Sequence, residues 1–94
     1  MDNRTIARKL LDWARSLEAE HASFYRVKAY RRAAETILGL DRSVEELVAH
    51  GDRKSLKQLP GIGARISEKL EKLVRTGDIA SLNEDNQNMV HAPG

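Results

Sequence analysis

Up to about residue 76, apolar residues recur at spacings of three and four, the pattern of helices that each bury one stripe. Ile6, Leu10, Trp13, Ala14 and Leu17 share a face and leave Arg8, Lys9, Asp12 and Arg15 outward, which predicts a helix over 4–18. Val27, Tyr30, Ala34, Ile37 and Leu38 predict a second over 25–38, with Gly39 as the left-handed residue that ends it. Ser43-Val44-Glu45-Glu46 reads as a capping box, and the short helix it starts turns Val44, Leu47 and Val48 inward before stopping at Gly51. A further short helix over 53–58 leads into Pro60, which cannot continue it. The last long helix begins after Gly63, buries Ile66, Leu70, Leu73 and Val74, and ends at Thr76-Gly77. Ile79 and Leu82 are expected to add one more turn. No stretch shows the period of two that marks a strand. The expected fold class is all-α, a compact bundle of four to five short helices over residues 1–82. Residues 83–94 turn polar and are expected to form a disordered tail.

Composition narrows the picture. Ninety-four residues suit one domain, and with one Trp, one Phe and two Tyr the core must be mainly aliphatic. The absence of cysteine excludes a disulfide scaffold and any thiolate metal site. His21, His50 and His91 lack ligand spacing, so neither a metal nor another cofactor is expected. No apolar run reaches membrane length, and Met1-Asp2-Asn3-Arg4 does not open a signal peptide. A soluble monomer without a membrane partner is expected, cytoplasmic and nucleoid-associated, or nuclear, according to the organism.

Charge changes the picture further. Residues 21–37 carry Arg26, Lys28, Arg31 and Arg32 against Glu35 alone, and residues 53–77 carry seven basic groups against Glu68 and Glu71. Between them, residues 38–52 are net acidic. Two basic blocks from separate parts of the chain predict a composite basic face.

The second block contains the most informative run, Lys57-Gln58-Leu59-Pro60-Gly61-Ile62-Gly63-Ala64. It joins two helices through a tight turn in which two glycines, one apart, allow positive φ and let the backbone approach another molecule without a Cβ in the way. Ile62, between them, can point back and anchor the hairpin. The backbone N–H groups of Gly61, Ile62, Gly63 and Ala64 then face outward at the start of a helix, where the dipole favours an anion such as phosphate. Such contacts ignore base identity. The motif is therefore a helix-hairpin-helix, with Arg65 and Lys69 following on an amphipathic helix.

Phe24-Tyr25-Arg26-Val27-Lys28-Ala29-Tyr30-Arg31-Arg32-Ala33-Ala34 and Leu59-Pro60-Gly61-Ile62-Gly63-Ala64-Arg65-Ile66-Ser67-Glu68-Lys69-Leu70 together resemble the N-terminal domain of the family X DNA polymerases, the polymerase beta family. Thr76-Gly77 resembles that domain's customary ending, and the likeness covers about residues 5–82. The resemblance implies a helical domain that binds the 5′ side of gapped or single-stranded DNA. In some members this domain also removes a 5′-deoxyribose phosphate by β-elimination through a Schiff-base lysine. The matching lysine is Lys69, with Tyr30 beside it, and Arg26, Lys57 and Arg65 match positions that hold the 5′ phosphate or the DNA. Ser81 and Tyr25 depart from the family, standing where lyase-active members carry a lysine and a histidine. No acidic metal-binding cluster for nucleotidyl transfer follows, so polymerase activity is not expected.

A Schiff base needs a neutral amine. Arg65, Lys69 and Lys72, four and three apart, are expected to share one helix face, which makes Lys69 the candidate nucleophile. The alternative is a solvated basic stripe, with Glu68–Lys72 and Glu71–Arg75 as ordinary surface pairs. Three functions follow. The first is a sequence-nonspecific DNA-binding module for repair or replication that uses the hairpin, Arg65, Lys69, Lys57, Arg26, Lys28 and Arg31. The second is a lyase using Lys69 with Tyr30 as auxiliary, and the third is a protein-interaction module.

Overall fold

The computed structural model describes residues 1–78, and among these every regular element is helical. The order is α1 (Asn3–Ala19), α2 (Phe24–Leu38), α3 (Val44–Ala49), α4 (Arg53–Lys57) and α5 (Ala64–Thr76). The expected turn at Ile79 and Leu82 and the expected disorder over 83–94 lie outside the described residues.

α1 and α2 form the main packed pair, closed by a short turn. In that turn Ala22 N–H donates to Leu17 O at 2.9 Å and His21 N–H to Glu18 O at 3.1 Å, with His21 in the left-handed region at φ 60°. This is the double bond of a Schellman ending, here built on a residue other than glycine. Across the pair, the Arg31 guanidinium donates to both carboxylate oxygens of Glu18 at 3.2 Å. Asn3 ties the start of α1 to that of α3, donating to Arg42 O at 2.6 Å and accepting from Val44 N–H at 2.9 Å.

The core is the expected aliphatic one, with Ile6, Leu10, Leu17, Ile37, Leu70 and Leu73 fully buried. Ser43 accepts from Glu46 N–H at 3.2 Å, as the capping box requires. Several details differ from expectation. Leu38, the last residue of α2, keeps 54% of its surface exposed, since it borders the outer face of α1 at Ala7 and Leu11 rather than entering the core. Val74 is only half-buried. Gly39 caps α2 at φ −91°, an ordinary value, since its N–H closes the helix by bonding back to Glu35 and Thr36 carbonyls. The buried Glu71 does not spend its carboxylate on an ordinary surface pair with Arg75. It accepts a two-pronged hydrogen bond from Arg53, Nε at 3.1 Å and Nη2 at 2.5 Å, which clamps α4 to α5. The expected Glu68–Lys72 pair is present at 3.8 Å.

That clamp has a pH signature. Hydrogen bonding from Arg53 holds the Glu71 carboxyl below its ordinary value, against the opposing effect of burial. Asp52 and Asp2 are lowered in the same direction by hydrogen bonds from Ser55 and Thr5. A carboxyl depressed on folding contributes stability above its unfolded pKa and loses it as pH falls through the folded value. Thermal melts should therefore hold steady from neutrality to about pH 4.5 and fall steeply below about pH 4. Glu71→Gln should melt lower at pH 7 and show a shallower acid decline. An acid decline identical to wild type would mean that the clamp does not govern it.

Candidate nucleic-acid interface

The hairpin is built from a turn whose chemistry is visible in its residues. Leu59-Pro60-Gly61-Ile62 closes with Ile62 N–H donating to Leu59 O at 3.0 Å. Proline stands second, and Gly61, third, takes φ +78°, the arrangement of a type II turn. Ile62 is 2% exposed and sits in the core cluster, so it anchors the turn as expected. α2 braces the other side, where Thr36 Oγ1 donates to Pro60 O at 2.7 Å.

The two glycines play different parts. Gly61 needs its left-handed φ, and a Cβ there would also lie 2.8–2.9 Å from Cγ, Cδ and Nε of Arg32. Gly63 does not use that freedom, being extended at φ −94°, ψ −166° as the N-cap of α5. The turn has already reversed the chain at Gly61, so no second left-handed residue is needed. A Cβ on Gly63 would meet nothing within 4 Å. Neither backbone geometry nor internal packing demands glycine there.

The start of α5 is bare of side-chain caps. Asp2, Ser43 and Asp52 each cap their helices with a side-chain oxygen, at α1, α3 and α4, whereas Gly63 has none to offer. Ser67 N–H is satisfied by Gly63 O at 2.9 Å, and the first-turn N–H groups of Ala64 and Arg65 lie beside an open, exposed glycine. Uncapped amides at the positive end of a 13-residue helix are an arrangement that favours an anion.

The side chains expected at the site fall into three groups. Arg65 is exposed in the first turn of α5, and Lys57 is exposed where α4 enters the hairpin. On α2, Lys28 lies 5.4 Å above the Phe24 ring and Arg31 is held by Glu18, while Arg26 is half-buried. Lys69 and Tyr30 form the third group, since both are buried, Lys69 at 2% exposure. Lys69 is thus inside the folded surface rather than on a solvated stripe with Arg65.

Sequence reasoning missed Arg32. Its side chain lies against Gly61, and with Phe24, Lys28, Arg31 and Glu35 it lines a shallow depression on the outer face of α2. Its spacing of four from both Lys28 and Thr36 could have placed it on the hairpin-facing stripe. Phe24 of that depression and its chain neighbour Tyr25 are also exposed, at 66% and 84%.

Two short helical arms, a tight turn anchored by one buried aliphatic residue, and an uncapped second helix define a helix-hairpin-helix protein. Residues 1–79 match the family model described as a helix-hairpin-helix domain, and the chain belongs to that family. Such domains generally bind DNA without regard to sequence. No curated protein matches the chain. Among the described residues no helix is long and apolar enough to cross a membrane.

Proposed function

We propose that this domain grips the DNA backbone at a gap or in a single-stranded stretch, on the side of a 5′ phosphate, as a module of DNA repair or replication. The observation that carries the reading is Gly63, a glycine required by neither φ nor packing, standing before uncapped amides. Its value lies in letting a phosphate reach the N–H groups of Ala64 and Arg65. Arg65 stands in the same helical turn and Arg32 lies against Gly61 of the hairpin, with Lys57 and Lys28 extending the positive field. The preference for unpaired DNA draws support from Phe24 and Tyr25, whose exposed rings offer faces on which bases can stack. It also agrees with the resemblance to the N-terminal domain of the polymerase beta family.

Fluorescence anisotropy tests the proposal, with one-nucleotide-gapped, 5′-phosphorylated DNA beside intact duplex. The gapped DNA should bind more tightly, and log K should fall with log salt by about 0.7–0.9 for each phosphate neutralised. A slope near zero, or no binding at low salt, would sink the proposal.

The burial of Lys69 favours a second reading, the 5′-deoxyribose-phosphate lyase. A lysine away from bulk water is the usual setting for an amine that attacks an aldehyde. In that reading Lys69 Nζ forms a Schiff base at C1′ of the sugar with loss of water. β-Elimination then passes a C2′ proton to water, forms the C2′–C3′ double bond and breaks C3′–O3′, releasing the 3′ oxygen with its phosphate. Borohydride should trap a protein–DNA adduct in wild type and none in folded Lys69→Met; an adduct that persists in the variant would exclude Lys69.

A further inference from the structure

A groove between α1 and the end of α2 carries features that DNA binding does not use. Arg32 and Thr36 face the hairpin, whereas Arg31 and Leu38 lie toward α1. Between the outer face of α1 and the end of α2, Ala7, Leu11 and Leu38 make an apolar floor. Arg4, Arg8 and Arg15, one to two turns apart along α1, stand exposed along it, with Asp12 as the lone acidic neighbour. Leu38 is one of only three large apolar side chains exposed among the described residues, and it stands apart from the other two, Phe24 and Tyr25.

We propose that this groove docks an amphipathic helix of a partner protein, presenting an apolar ridge flanked by carboxylates. The floor rewards desolvation by leucine-like side chains, as in other helix-in-groove complexes. The arginine row selects acidic flanks by charge complementarity and steers encounter. A nucleic acid fits worse, because Leu38 and Leu11 offer a phosphate no donor and Asp12 repels it. A second copy of the described residues fits worse too. The exposed acidic side chains of α3, Glu45 and Glu46, sit on a helix whose large apolar residues, Val44, Leu47 and Val48, are all buried, so it has no ridge to insert. The groove shares no lining residue with the hairpin or with the depression around Arg32, so partner and DNA do not compete for the same side chains.

The probe is a fluorescein-labelled helical peptide of about five turns, with leucines at helical spacing and glutamates on both sides of them. A scrambled peptide of identical composition is the comparison. The intact chain should raise the anisotropy of the amphipathic peptide only. Leu38→Asp, at an exposed helix end, should weaken binding about tenfold or more, as expected for losing a buried leucine contact. Arg8→Glu/Arg15→Glu should weaken it similarly and leave gapped-DNA affinity within about twofold. Gly63→Asp, directed at the hairpin, should leave peptide binding unchanged, so failure of the DNA proposal and failure of this one read out separately. Equal binding of both peptides, no binding of either, loss of DNA rather than peptide in the arginine variant, or a dimer in sedimentation that Leu38→Asp dissolves would each overturn the proposal.

Discussion

Gly63→Asp is expected to fold at least as stably as the wild type while losing more than about tenfold in DNA affinity. The two effects share one cause. At the N-cap of α5 a carboxylate accepts hydrogen bonds from the first-turn amides, which glycine leaves uncapped. The same negative charge lies favourably against the helix dipole. Replacing a glycine at an ordinary φ also lowers the entropy of the unfolded chain. Together these should add about 0.5–1.5 kcal/mol, raising the melting temperature by a few degrees in a domain of this size. Nothing stands within 4 Å of the new Cβ to oppose the gain.

For DNA, the carboxylate occupies the seat proposed for phosphate and repels the phosphates beside it. Losing one or two charge-assisted hydrogen bonds at about 1.5–3 kcal/mol each gives the expected drop. Gly63→Asn, which caps without a charge, should fall between. Ser43→Asp makes the same change in net charge at the α3 cap, in the acidic part of the chain, and should shift affinity by no more than about twofold. A folded Gly63→Asp that binds as tightly as wild type would remove the start of α5 from the interface.

This separation of stability from binding was only partly legible in the sequence. The long amphipathic helices were, because α1 and α5 keep one apolar stripe in register over their whole lengths. The hairpin was legible as a unit, because Pro60 and Gly61 satisfy a type II turn and Ile62 must go somewhere apolar. The distinct parts of Gly61 and Gly63 were not, since a glycine is the same letter whether φ or an approaching ligand requires it. Arg53–Glu71 was hidden for a related reason. Spacing predicts pairs along one helix, and here a partner from α4 took Glu71 through a two-pronged contact that no i,i+4 pair matches. Lys69 sits three residues past Ile66 and one before Leu70, at the border of the buried stripe. A long side chain there can turn inward or outward, and only the packing of the neighbouring elements decides. Arg32 was lost among four basic residues of α2 until its contact with Gly61 singled it out.

Ile62→Ala is expected to give the largest loss of stability at the hairpin, about 2–4 kcal/mol, lowering the melting temperature by roughly 10–20 °C. Ile62 is the one buried side chain of the turn, lying between two exposed glycines, so no neighbour in the hairpin can collapse to fill the space. The turn is otherwise held by one internal backbone bond and by Thr36 Oγ1 on Pro60 O, too little to fix its position once the knob is gone. Binding should therefore weaken even at low temperature where the variant remains folded, because the amides of Ala64 and Arg65 are no longer pre-positioned. Ile62→Val, which keeps the branched knob and removes one methylene, should cost only about 0.5–1.5 kcal/mol and bind nearly as well. The pair distinguishes a hairpin that is seated in the core from one that merely rests on it. If Ile62→Ala melted within a degree or two of wild type, the turn would be an independent loop, and its geometry would have to come from the bound DNA instead.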